Sequence, residues 1–140
     1  MMKRLFWVAL SWGAVVVGFA SSLSADIGLS LAYVDMGGQP YARFKTFVDQ
    51  AVAGNPGYAF SATDAAYMYK LTGQAQYATL AIDWVEDQVT AAEGEIALGN
   101  RPAIAGDSYL DVGPMLRDVA LVYDWCFALL TPQQRTRWAI

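Results

Sequence analysis

Residues 61–93, SATDAAYMYKLTGQAQYATLAIDWVEDQVTAAE, decide the fold. In the first third of this stretch, Ala65, Ala66, Tyr67, Met68, Tyr69 and Leu71 follow Ser61, a residue type favoured at a helix N-cap. Asp64, three positions on, brings a negative charge to the positive helix end. From about Gln74, Tyr77, Leu80, Ala81, Trp84, Val85, Gln88, Val89 and Ala92 recur at helical spacing. Asp83, Glu86, Asp87 and Glu93 fall on the other side, so this second segment is an amphipathic helix. Only Thr72-Gly73 lies between the two segments. A link that short predicts antiparallel neighbours, an αα-hairpin, and an all-α protein built from such hairpins.

Toward the N-terminus, residues 41–53 place Tyr41, Phe44, Val48, Ala51 and Val52 on one side of a further amphipathic helix. Pro40 suits its first turn, and Gly54-Asn55-Pro56-Gly57 ends it. Toward the C-terminus, Gly94 weakens the end of the 74–92 helix, and GNRPAIAG at 99–106 reads as a loop. A fourth helix is expected over about 109–129, with Val112, Leu116, Val119, Ala120, Tyr123, Phe127 and Leu130 in a stripe. Gly113-Pro114 leaves two starts open: Pro114 as the first helical residue after a turn at 107–112, or a helix from Tyr109 kinked near Pro114. Thr131-Pro132-Gln133-Gln134 has the capping-box pattern of a fifth helix. That helix has barely two turns before Ile140, with Trp138, Ala139 and Ile140 opening an apolar face, and helices so short are marginal alone. An incomplete domain is therefore expected. Residues 26–39 alternate weakly, and both an extended and a helical form stay open.

Residues 1–25 have a different grammar. Lys3 and Arg4 precede an uncharged apolar run from Leu5 to Ala20, followed by small residues up to Ala25. This is the pattern of a cleaved signal peptide. The run is shorter than the ~20 apolar residues of a membrane span and is interrupted by Gly13 and Gly18, which argues against a stable membrane anchor. The expected division is a signal peptide at 1–25 and one helical domain at 26–140, exported to the periplasm or secreted. Cleavage removes two bases and no acid, taking the net charge from −4 to −6.

Composition narrows the chemistry. The chain has no histidine and one cysteine, which excludes Ser-His-Asp triads, Cys-His pairs, HExxH zinc sites and an intramolecular disulfide. Its negative charge lacks the basic footprint of a nucleic-acid binder. The acidic residues have no EF-hand spacing, so neither a metal nor another cofactor is expected. Cys126, among Trp125, Phe127, Leu129 and Leu130, reads as a buried, inert thiol.

YKLTGQAQYA (69–78), GDSYLDVGP (106–114), LVYDWC (121–126) and LTPQQR (130–135), in this order, resemble the helical N-terminal region of exported heparinase II/III-like proteins. The resemblance covers roughly 41–140. It implies part of an (α/α) toroid, here incomplete, and a family whose characterised members are polysaccharide lyases acting on uronic-acid polymers by β-elimination. An acidic polysaccharide is thus the implied partner. Such lyases need a base, a proton donor and cations to offset developing charge. The family's histidine-bearing catalytic segments and β-sandwich follow the region matched here, so no catalytic residue is carried over and the chain alone is expected to be inactive. The other readings are a small exported helical binding or scaffolding module, and a fragment of another α/α-toroid glycoside hydrolase.

Four residues are candidates for substrate binding. Asp107 and Tyr109, with Asp111, stand at a loop-to-helix junction, where carboxylates and a phenol suit sugar hydroxyls; in the plainer reading Asp107 or Ser108 caps the helix and Tyr109 lies on apolar neighbours. Tyr123-Asp124-Trp125 cannot all face one core surface of a helix, and with Tyr123 on the stripe, Asp124 or Trp125 meets a neighbouring helix or a groove. Arg117 and Asp118 are either a cleft pair or exposed helix charges of small energetic weight. A tyrosine base at Tyr109 would need nearby cations, for which Arg101 and Arg117 are the neighbours in sequence. Trp84 and Trp138 read as core.

Overall fold

A computed structural model describes residues 30–139, and the expected signal peptide lies outside the described residues. Among them are five α-helices and no strand: α1 (Gln39–Val52), α2 (Ala62–Thr72), α3 (Ala75–Ala97), α4 (Gly113–Trp125) and α5 (Pro132–Arg137). The all-α expectation holds.

The helix ends follow from local chemistry. The Asp64 carboxylate accepts hydrogen bonds from the Ser61 N–H at 2.8 Å and hydroxyl at 2.9 Å, which fixes the entry to α2. Gly73, at φ 69°, closes α2 in the left-handed conformation that costs glycine little. Gly54 and Gly99 close α1 and α3 in the same way. In each case the following residue reaches back five positions, Asn55 to the Gln50 carbonyl and Asn100 to the Glu95 carbonyl, both at 2.9 Å. Gly94, expected to weaken the end of the third helix, does not interrupt it. It lies inside α3, which runs to Ala97, because the carbonyl-satisfying motif is available only at Gly99. At the C-terminal end, Thr131 Oγ1 accepts the Gln134 N–H at 3.1 Å and Gln134 Oε1 accepts the Thr131 N–H at 3.0 Å, the predicted capping box.

Pro114 combines both expected starts of the fourth helix. Ser108–Val112 form a single widened helical turn, in which the Val112 N–H reaches the Asp107 carbonyl at 3.1 Å, and the turn continues into α4. A proline ring crowds the carbonyl four residues back and offers no N–H, so widening of the preceding turn admits it without ending the helix. α4 stops at Trp125, before the expected 129, and a tighter turn at Phe127–Leu129 follows. Between Ser30 and Gly38 the chain forms turns and bends, neither of the two regular forms open to it from sequence.

The core lies around α2. Its Ala62, Ala65 and Ala66 are fully buried, and their small side chains admit close approach by α3 and α4, against both of which α2 packs. Tyr77, Ala78, Ala81 and Val85 of α3, Val48 of α1, Val122 of α4 and Cys126 complete the centre. An aromatic shell surrounds it, with Phe60 edge-on to Trp84 at 5.0 Å and Tyr67 between Phe44 at 5.8 Å and Trp125 at 6.0 Å. Trp138 does not open an uncovered face. It is 8% exposed and belongs to the core, because α5 is held down on α3: Arg137 Nε donates to both Glu93 oxygens at 2.8 and 2.9 Å, Arg137 also pairs with Glu86, and the Trp138 indole N–H reaches Glu86 at 3.2 Å.

Candidate functional site

α3 is the longest helix, and its C-terminal half outruns the core. Trp84, Gln88, Ala91, Ala92 and Glu95 follow one another at helical spacing along one side of it. That side lines two adjoining hollows that share Gln88 and Ala91. The first, about 430 Å³, lies between α3, the 103–105 turn, the widened turn and the start of α4. The second, about 350 Å³, extends it past Asp87 to Trp84. From Trp84 to Glu95 the groove follows the helix for ~16 Å at 1.5 Å per residue.

Its walls are apolar (Ala91, Ala92, Ala103, Ile104, Leu110 and Met115), with a few polar groups among them, the usual build of a small-molecule site. Asp118 is the deepest, only 4% exposed. Its Oδ1 accepts the Thr63 hydroxyl at 2.6 Å and the Arg117 guanidinium at 2.8 and 3.0 Å, while no described donor meets Oδ2. A buried carboxylate is tolerated because charged and hydroxyl donors converge on it. Arg117 and Asp118 are thus one ion pair with a half-exposed cation and a buried anion, so of the two readings open from sequence, that of exposed helix charges fails for Asp118.

The rim is built by short-range bonds. Asp107 Oδ1 accepts the N–H groups of Tyr109 at 2.7 Å and Leu110 at 2.9 Å, and the Leu110 and Tyr109 bonds hold its carboxyl below the usual carboxylate value. Asp111 Oδ2 accepts the Asp107 N–H at 3.1 Å, and Arg101 donates to the Ala105 and Gly106 carbonyls. Glu95 accepts from Asn100 at 2.9 Å. The groove thus presents Asp87, Glu95, Asp111 and Asp118 together with Gln88, and no Lys or Arg lines it.

The four candidates from sequence do not converge. Asp107 is the cap of the widened turn. Tyr109 is 87% exposed, so it is not covered by apolar neighbours as its plainer reading has it; it stands beside the groove without lining it. Asp124 and Trp125 lie at the other end of α4, where Trp125 packs on Tyr67 and its indole N–H is buried without a partner among the described residues. Asp111, named with Asp107, does line the groove. Sequence reasoning missed Gln88, whose signal was a polar residue inside an apolar stripe; Asp118, held open from sequence as half of a cleft pair, does line the groove, seven residues after Asp111 and so on nearly the same helical face, while Arg117 does not line it. Trp84, read as core, is half-buried between Phe60 and the groove.

Tyrosines with displaced ionisation move away from use as bases. Burial pushes the Tyr67 and Tyr77 phenols above their ordinary value of 10.0, and burial pushes the Cys126 thiol up to about 12. No group of three acidic or thiol side chains among the described residues is disposed to hold a metal ion. No known protein family, curated protein or solved structure matches the chain.

Proposed function

We propose that this chain is the glycan-binding helical part of an exported, heparinase II/III-like polysaccharide-degrading protein, formed of antiparallel hairpins from an incomplete (α/α) toroid, and that it holds a sugar polymer without cleaving it. One observation carries the reading: GDSYLDVGP (106–114), a stretch on which the family resemblance rests, also supplies Leu110, Asp111 and Pro114 to a groove long enough for several linked sugar rings. Trp84 offers a ring surface at one end, and Gln88, Asp111 and Asp118 offer acceptors for sugar hydroxyls. Retention without cleavage fits a sequence that lacks histidine and a groove with no tyrosine in its lining.

The acidic lining favours a second reading over a uronate polymer. Asp118 is offset by its Arg117 partner, but Asp87, Glu95 and Asp111 have no cation among the lining residues and repel a polyanion, so a neutral glycan of the kind bound by α/α-toroid glycoside hydrolases suits the groove better. In the lyase-like reading the uronate carboxyls must face solvent and only hydroxyls enter. Calorimetry of the purified chain with a neutral β-glucan and with alginate separates the two, and Gln88→Ala should weaken binding of whichever is held by roughly fivefold, the loss of one or two hydrogen bonds. Absence of binding to either polymer overturns the glycan assignment. An ultraviolet-absorbing unsaturated product from alginate overturns the non-catalytic part.

A further inference from the structure

A second hollow, of about 330 Å³, lies away from the groove, where the turns before α1 meet α1 and α2. Tyr41 and Phe44 of α1 and Tyr67 of α2 line it, with Pro40 and Leu71, and Asp35 is the one charged residue of the lining. We propose that this hollow binds a quaternary ammonium group, independently of the glycan reading.

The choice of ligand follows from what the lining supplies. Three aromatic rings, each with a negative π-face, border the hollow, and the Phe44 and Tyr67 planes are inclined at 60° with centroids 5.8 Å apart, so they cannot both stack on one flat ring but can both border a compact, rounded group. Tyr67 is fixed from behind by Trp125 at 6.0 Å. Hydrogen-bonding capacity is low: one carboxylate, of which Oδ1 already accepts the Gly37 N–H at 2.9 Å, and the two phenols. A sugar or a primary ammonium brings several donors that this lining leaves unmatched, whereas a trimethylammonium group donates no conventional hydrogen bond and is weakly hydrated. Asp35 is exposed and supplies the opposing charge at modest desolvation cost. The aromatic residues and the carboxylate are thus complementary to one feature, a cation with an apolar surface.

Choline is the probe, titrated into the full chain and followed by calorimetry and by the ring signals of Tyr41, Phe44 and Tyr67. The neutral isostere 3,3-dimethylbutan-1-ol and the primary amine ethanolamine serve as controls. The expected result is saturable choline binding, with both controls weaker by roughly tenfold, the scale of a desolvated cation–π contact. Tyr41→Leu should weaken choline by about the same factor, Asp35→Asn by a few-fold, and Gln88→Ala not at all, each variant first checked for an unchanged melting profile. Equal binding of the neutral isostere overturns the proposal in favour of a merely apolar hole. Equal binding of ethanolamine overturns it in favour of non-selective attraction to an acidic chain. No saturation by choline in the millimolar range, or saturation that leaves the three ring signals unmoved, also overturns it.

Discussion

Asp49 sits where α1 meets α3 and serves two partners at once. Its Oδ1 accepts the hydroxyl of fully buried Tyr77 at 2.6 Å, and its Oδ2 pairs with Lys45 at 2.6 Å. Asp49→Ala leaves a buried phenol without an acceptor, an expected loss of about 1–3 kcal/mol, whereas Asp49→Ala combined with Tyr77→Phe should cost less than the two single changes summed. Urea midpoints of the four proteins in that cycle check it. The same contacts set an acid limb. Lys45 first, then Tyr77, holds the Asp49 carboxyl below its ordinary 3.8, and Arg137 holds Glu93 below its ordinary 4.5. Because the folded values are depressed, this stability is present above those ordinary values and disappears as pH falls through the folded ones. Urea midpoints should therefore drop below about pH 4, and Asp49→Asn should flatten part of that drop.

At the scale of elements, two glycines near the end of α3 should respond oppositely to the same change. Gly94 is helical, and a Cβ there meets nothing within 4 Å, so Gly94→Ala should stabilise by about 0.5–1 kcal/mol. Gly99 has φ 77°, so Gly99→Ala should destabilise by about 1–2 kcal/mol despite equally open space. Thermal melts of the two variants, displaced in opposite directions, are the expected outcome. The contrast explains what was legible. Ser61 with Asp64, Gly73, and Thr131 with Gln134 each carry a local bonding pattern within four residues, and those helix ends were readable. Gly94 gives no such pattern and did not place the end of α3, because glycine is only a weak helix breaker unless the chain must turn left-handed there. The widened turn before Pro114 was half-readable: the proline announces disruption, but whether the backbone breaks or dilates depends on what packs beside it.

For the whole molecule, α5 tests whether a six-residue helix can be integral to a core. Trp138→Ala should cost about 3–5 kcal/mol, a large share of a small domain's stability, and amide exchange should accelerate across α3 as well as α5. Arg137→Ala removes only partly exposed pairs with Glu86 and Glu93 and should lower the melting temperature far less than Trp138→Ala, with faster exchange confined to α5. Equal effects of the two variants would mean that the ion pairs, and not the indole, hold the helix.

Periodicity and capping residues determined that the described part of the chain is helical and where most of its helices begin, and composition determined that it has no imidazole and no intramolecular disulfide, since those properties depend on neighbours within a turn or on residue counts alone. Tertiary structure decided which side chains share a cavity. Gln88 and Asp118 lie thirty residues apart in the chain, and Tyr41 and Tyr67 twenty-six, and each pair was brought to one hollow only by how α2 packs against its neighbours. Asp107, Tyr109, Asp124 and Trp125 stand out in the sequence as polar or aromatic groups beside a helix end; what each touches was settled by three-dimensional packing, which gives Asp107 a cap and Trp125 a ring contact, because unmet N–H groups and apolar surface engage the nearest suitable group.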